Sequence, residues 1–330
     1  MTERKLRVMF VSFCYGGNGG LSMVLPHVME WMIKTVAEAK EDKRVEQVIY
    51  TNIAETPITM ARNRAVVKAR QAKVDVLVMI DSDQEPDLYL DSDPSAKPFF
   101  QSSFDFLYDN WDTFPAVIAS PYCGPPPHPV RGGGENVYVF QWEDYESGQA
   151  LETPQSLEQF TRRQASRCIG IEAVAALPTG LCMFAMPAFE LTEPKPGNRH
   201  PGWFYYEYED QYGAVKASTE DVTATRDMAI ASYILLGHSC IYVNWDAWAG
   251  HAKVKMVGRP AFMSTSAVGG RIKDSIFNGV EAGVREVKIE DILKHAPPQL
   301  HERMRAAKTN LEATDGIPEK PKKENAGSPG

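Results

Sequence analysis

The chain lacks the cysteine pattern of a stapled or zinc-bound scaffold. Its five cysteines, Cys14, Cys123, Cys168, Cys182 and Cys240, are odd in number, scattered, and form no Cys-x-x-Cys pair, which argues against a disulfide framework and structural zinc. Most of them are expected to be buried small hydrophobes. It also lacks a long apolar run. The first residues, Met-Thr-Glu-Arg-Lys, are charged, and the apolar stretch after them is only strand-length, so it reads as neither a signal peptide nor a membrane span, and the default expectation is intracellular, in the cytoplasm. Positive charge is in deficit, with 35 Lys and Arg against 43 Asp and Glu and a formal net charge of −8. That argues against broad, non-specific binding to duplex DNA, although a local basic groove could exist. The phosphate-binding signatures are missing as well. In Cys14-Tyr15-Gly16-Gly17-Asn18-Gly19-Gly20 a third glycine would be needed where Ser22 stands, and no Lys-Ser/Thr follows, so neither a dinucleotide fingerprint nor a P-loop is supported. The loop is either a tight turn or a nucleotide contact.

What is present begins with Val74-Asp75-Val76-Leu77-Val78-Met79-Ile80-Asp81-Ser82-Asp83, an apolar strand running into two aspartates one residue apart. Alternate side chains of an extended segment point the same way, so Asp81 and Asp83 can converge on one divalent ion while Ser82 faces elsewhere. Hard oxygen donors at the carboxyl end of a buried strand suit Mg²⁺ or Mn²⁺. A second copy, Asp91-Ser92-Asp93, is followed by Pro94 amid loop formers and reads as an exposed turn.

Around this strand the chain alternates strands and helices. At 330 residues with 43% hydrophobic and 24% charged residues, it can bury one large α/β domain or two joined ones. Leu6–Ser12 reads as a first strand, followed by an amphipathic helix with Leu21, Val24, Leu25, Val28, Met32 and Val36 on one face. Val45–Tyr50 is a second strand. It leads to a helix with Thr56 as N-cap and Pro57 at its first position. In that helix Ala61, Ala65, Ala69 and Ala72 allow close packing on a sheet, and Arg62 near the N-terminal end can receive a diphosphate, whereas Arg64, Lys68 and Arg70 suit a solvated face. Ala116–Ser120 is a further strand. From Pro121 to about residue 165 the sequence is polar, with Gly132-Gly133-Gly134, and reads as an insertion or mobile loop except for the strand-like Asn136–Phe140.

The second half adds three candidate pieces. Pro178-Thr179-Gly180 is either an ordinary tight turn or a place where a ligand approaches the backbone. Trp203-Phe204-Tyr205-Tyr206-Glu207-Tyr208 offers aromatic faces, most of them suited to core packing. Glu220-Asp221 opens a helix capped by Ser218 or Thr219, where acidic residues favour the macrodipole with no need of catalysis. A last strand near Ile241–Asn244 precedes Gly250-His251, and the tail from Glu312 should be disordered.

Taken in order, the Thr56-to-Asn63 segment, the Asp81-Ser82-Asp83 strand, Pro178-to-Met183, Ser218-to-Asp221 and Gly250-His251 resemble the GT-A glycosyltransferases, family-2-like enzymes and their phage and viral relatives, over roughly residues 5 to 255. The resemblance implies an α/β GT-A fold with a mostly parallel central sheet flanked by helices. It divides the chain into a nucleotide-sugar half (1–120), an acceptor and catalytic half (121–260), a helical or loop extension (261–311) and the tail (312–330). It implies a metal, Mn²⁺ or Mg²⁺, held by Asp81, Asp83 and His251, and donor contacts from Thr51, Arg62, Asn63, Asp81, Ser82 and Gly180. Asp221 is then the base, with Glu220 second. The donor is a nucleoside-diphosphate sugar, UDP-linked by preference, and the acceptor a hydroxyl on a glycan, a protein or a modified base of phage DNA, in a host cytoplasm if the chain is phage-encoded. For DNA, the aromatic run from Trp203 to Tyr212 with Arg131, Arg162, Arg163 and Arg167 would supply stacking and phosphate contacts. Sugar-1-phosphate nucleotidyltransferases and non-catalytic sugar-nucleotide binders are the rival readings. The first lacks support in a glycine-rich signature near Leu6–Ser12.

Overall fold

The structure, a computed structural model, describes residues 4–14, 24–54, 57–123, 136–142, 157–194, 202–208 and 216–252. All of them belong to one unit, Met1–Val254. The loop Gly16–Gly20, Thr56, Arg131, the three-glycine run, Tyr212 and both expected C-terminal segments lie outside the described residues.

The apolar runs form the centre. β1 (Leu6–Phe13), β2 (Val45–Ile53) and β3 (Val76–Asp81) pair in parallel, with α1 (Pro26–Glu41) and α2 (Ile58–Gln71) as the connections. The two-residue strand β4 (Gln84–Glu85), α3 (Phe99–Asp109) and β5 (Val117–Ala119) follow. Next come the hairpin of β6 (Asn136–Trp142) and β7 (Leu157–Thr161), the short α4 (Arg162–Ala165), β8 (Ile171–Ala173) and β9 (Leu181–Ala185). The last elements are the small pair β10 (Glu207–Tyr208) and β11 (Lys216–Ser218), then α5 (Glu220–Leu236), β12 (Ile241–Asn244) and β13 (Gly250–His251). The seven-stranded sheet has the order β2-β1-β3-β9-β5-β12-β8. β2, β1, β3, β5 and β12 run one way, while β9 and β8 run against them. The expected mixed α/β architecture, a mostly parallel sheet flanked by helices, is the one observed.

Strand alternation divides the core in two. Leu77 and Met79 of β3 face the layer of α2 and α5, packing with Ala61, Ala65, Ala69, Met228 and Ala229, while Val76, Val78 and Ile80 face α1 and α3 through Val28, Met32, Phe100 and Phe104. Burying each of these large apolar side chains contributes about 1.5–3 kcal/mol, enough to fix the register of β3 and with it the direction of Asp81.

Three sequence expectations shift. Pro26 begins α1, so Val24 and Leu25 lie before the helix, because proline is pre-organised for a first helical position and lacks the N–H an interior position needs. Likewise α2 starts at Ile58, with Pro57 as the N-cap, one residue later than expected. The stretch after Pro121 is not all loop. Leu157–Thr161 pairs with β6, and Val137, Val139 and Trp142 are buried in the main core. Cys14, Cys182 and Cys240 are buried, and all five cysteines are free thiols, as expected. Among the described residues no helix is long and apolar enough to cross a membrane.

Candidate functional site

The carboxyl ends of the central strands gather most of the predicted residues. Asp81 ends β3, and its N–H donates to the Gly180 carbonyl at 2.7 Å, while the Ser82 carbonyl accepts from the Leu25 N–H at 3.2 Å. The aspartate turn is thus pinned between the start of β9 and the entry to α1. β13 then pairs antiparallel with β4, placing His251 opposite Gln84 and Gly250 opposite Glu85, and the Asp83 carbonyl accepts the Ala252 N–H at 2.8 Å. This bridge carries His251 Nε2 to 3.1 Å from Asp83 Oδ2, across 168 residues of sequence. Neighbouring donors about 2.1 Å from one octahedral ion lie about 3.0 Å apart, so the spacing suits two adjacent ligands. The imidazole packs edge-on against Tyr122, with centroids 4.9 Å apart.

Behind this pair lies a buried charge cluster. Arg62 of α2 is 3% exposed. Its Nη2 donates to both oxygens of Asp81, at 3.1 and 2.9 Å, and its Nη1 donates to Glu220 Oε1 at 2.7 Å. Burial pushes the Asp81 carboxyl up to about 6, against the opposing pull of Arg62, with Asp83 adding a smaller upward push. Both Asp81 oxygens turn to Arg62, while Asp83 and His251 stand together as a pair. Among the described residues no three His, Cys, Asp or Glu side chains form one metal-binding group. The donor chemistry of the Asp83–His251 pair, hard oxygen with imidazole, still fits Mn²⁺ or Mg²⁺.

The N-terminus of α5 completes the cluster. Thr219 is its N-cap by backbone geometry, without a side-chain cap bond, and Glu220 and Asp221 occupy the first turn. Glu220 points inward to Arg62 and is buried. Asp221 is half-buried, and its Oδ1 accepts the Val222 N–H at 2.9 Å. Its charge reaches the site: the Tyr122 hydroxyl is held well above its ordinary range by burial first and Asp221 second, and Tyr138 is raised by the same two causes.

The remaining predicted residues divide. Ser82 is buried in the pinned turn. Thr51 stands near the end of β2, half-buried, its hydroxyl 3.5 Å from Lys68 Nζ. Asn63 is engaged elsewhere: its amide donates to the Phe204 carbonyl at 2.8 Å and accepts the Phe204 N–H at 3.1 Å, clamping the aromatic segment. Space at Gly180 is filled by protein, since an added Cβ would lie 2.7 Å from Gln84 Nε2 and 2.9 Å from the Tyr122 hydroxyl. Trp203 and Phe204 are core, and Tyr208 is exposed. Arg163 and Arg167 lie on the surface, and the Arg162 side chain is outside the described residues. Asp91-Ser92-Asp93 is exposed in turns, as expected.

Sequence reasoning passed over Gln84 and Tyr122 as site residues. Gln84 is fully buried, with neither amide atom hydrogen-bonded. Each follows the end of a strand whose neighbours had already been singled out, and that position was the available signal.

No protein-family model matches this chain, and no curated protein is similar to it. Among solved structures it is similar to A197 from STIV, at 12% identity over 76% of this chain and 87% of that one, with a TM-score of 0.40. It is also similar to GalNAc-T7 in a structure with UDP, GalNAc and Mn²⁺, at 11% identity over 76% of this chain and 44% of that one, TM-score 0.35, so it spans less than half of that protein. A third is CMP:2-keto-3-deoxy-manno-octonic acid synthetase complexed with CTP, at 9% identity over 57% and 79%, TM-score 0.26. Likenesses this distant carry no argument about activity.

Proposed function

We propose that this chain is a GT-A-type glycosyltransferase that moves a sugar from a nucleoside-diphosphate donor to an acceptor hydroxyl. The observation that carries the reading is the meeting, at the ends of β3 and β13 and the start of α5, of the Arg62–Asp81–Glu220 cluster with the Asp83–His251 pair. Asp83 and His251 would hold Mn²⁺ or Mg²⁺, with Asp81 as the neighbouring carboxylate. When bound, the ion supplies Lewis-acid stabilisation of the departing diphosphate.

The side chains do the rest. Glu220 and Asp81 hold the Arg62 guanidinium in place, so Arg62 would tie the Asp81 turn to the start of α5 on the donor side. Asp221, in the first turn of α5, takes the proton of the acceptor hydroxyl. The hydroxyl oxygen forms a bond to the anomeric carbon as the bond from that carbon to the diphosphate oxygen breaks, and the electron pair leaves with the nucleoside diphosphate. One direct displacement inverts the configuration. Thr51 and Ser82 would line the donor side, Gly180 would act on it through Gln84 and Tyr122, which fill the space at its Cα, and Asn63 through the clamp on Phe204. Incubating the protein with UDP-sugars and Mn²⁺ tests the reading: release of UDP supports it, whereas pyrophosphate release from a nucleoside triphosphate plus sugar phosphate would make the chain a nucleotidyltransferase.

A further inference from the structure

A cavity of about 650 Å³ is lined by Gly250 and His251, and so shares His251 with the candidate metal pair. Its size falls in the range that takes small ligands. One wall is a two-tryptophan platform: half-buried Trp248 rests on buried Trp245, with ring centroids 5.7 Å apart. The platform is fixed from behind, because the Trp245 indole N–H donates to Glu172 at 2.9 Å and its ring packs on Phe160 at 5.2 Å. Tyr89, 46% exposed, adds a third aromatic side chain.

The polar lining holds two carboxylates beside Ser95, Ser166 and His251. Asp246 is held in one orientation, its two oxygens accepting from the Gly170 N–H and Lys97 Nζ, each at 2.7 Å. Asp93 is exposed, and its Oδ1 accepts from the Ser95 N–H and hydroxyl. Carboxylate oxygens have further lone pairs for hydroxyl donors. Among the described residues that line the cavity there is no lysine or arginine. A polyanion entering here would meet the exposed Asp93 carboxylate and an Asp246 carboxylate already paired with Lys97, whereas a pyranose ring presents an apolar face to Trp248 and hydroxyl donors to the acids.

We infer that this cavity is the acceptor subsite and that the acceptor is a neutral saccharide. The inference rests on the proposed transferase reading, since only that reading makes a hydroxyl beside His251 a reactant. It chooses among the acceptor classes and disfavours the DNA base.

The test is ligand binding by the full chain, followed by saturation-transfer NMR and tryptophan fluorescence. The probes are neutral chito-, malto- and xylo-oligosaccharides and an oligodeoxynucleotide carrying hydroxymethylcytosine. One oligosaccharide class should bind, and Trp248→Ala should weaken it roughly tenfold, a change equal to about 1.4 kcal/mol. Trp248→Phe should restore most of the affinity. Tyr89→Ala, at an exposed position, should also weaken binding and keeps the test open if Trp248→Ala does not fold. Preference for the oligonucleotide, no oligosaccharide binding, or wild-type affinity in the folded variants would overturn the inference. Calorimetry with UDP-sugar and Mn²⁺ on the unaltered protein separates the two claims. Donor binding without saccharide binding overturns the subsite alone. Saccharide binding that depends on Trp248, without donor binding, overturns the transferase reading and leaves a carbohydrate site.

Discussion

Arg62 donates to Asp81 and Glu220 from a position almost sealed from water, so removing its guanidinium would strand two carboxylates in a low dielectric. Breaking a buried ion pair in this way costs about 3–5 kcal/mol. Arg62→Ala is therefore expected to lose stability on that scale in urea denaturation, and a loss below about 1 kcal/mol, the worth of a surface pair, would show that the cluster is solvated. Lysine keeps the charge and loses the fork, so Arg62→Lys should fall between. The neighbours Glu220 and Asp221 call for opposite outcomes. Asp221→Asn should lower turnover by about 10²–10⁴ and leave donor affinity nearly intact, as loss of a general base does. Glu220→Gln removes a partner of Arg62, and its main effect should be on stability and donor affinity. Steady-state kinetics beside denaturation curves checks both, and the reverse pattern would make Glu220 the base.

Among the elements, the β4–β13 bridge sets where His251 stands, and it packs against Gly180 through Gln84. An alanine methyl at Gly180 would meet Gln84 Nε2 at 2.7 Å and the Tyr122 hydroxyl at 2.9 Å, so Gly180→Ala should overpack the site and cost about 1–3 kcal/mol. A thermal shift measures that loss, and no change would mean Gln84 swings away freely. At the opposite end of the sheet Arg44 joins the start of β2 to α3. It binds Asp42 and Asp105, each at 2.7 Å, and its guanidinium lies 5.0 and 5.2 Å from the ring centroids of Phe104 and Tyr108. The hydrogen bonds from Arg44 hold the Asp42 carboxyl below its ordinary range. A folded-state value below the unfolded one gives stability that is present above the unfolded value, about pH 4, and lost as pH falls through the folded one. Asp42→Asn should be less stable than wild type at neutral pH, and the two should converge in acid. Denaturation at a series of pH values tests this, and a constant gap would dismiss the linkage. β3 and α2 were legible because apolar runs and alanine spacing are local signals. β7 was not, since Leu157–Thr161 shows a strand pattern only once Asn136–Trp142 is its partner.

For the molecule as a whole, the residue types of the site could be read from sequence, and their pairings could not. Asp81, Asp83 and His251 stood out by motif and position, but that Arg62 meets Glu220 across 158 residues follows from α2 and α5 packing on the same sheet face, a fact of the tertiary fold. That pairing changes what the two aspartates can do. Asp81 has both oxygens committed to Arg62, whereas Asp83 faces His251 at ligand spacing. Their contributions to metal binding should therefore differ. Mn²⁺ titrated into the protein with UDP, followed by electron paramagnetic resonance of the free ion, should show affinity falling roughly a hundredfold or more in Asp83→Asn and His251→Ala, since each would remove a proposed direct ligand. Asp81→Asn should act more weakly, within the roughly 10–100-fold typical of a group that supports ligands from behind. Asn replacements at Asp91 and Asp93, in their exposed turn, supply the control and should change nothing. Wild-type Mn²⁺ affinity in both Asp83→Asn and His251→Ala would end the metal assignment. Equal losses at Asp81 and Asp83 would mean that Arg62 releases Asp81 when the donor arrives.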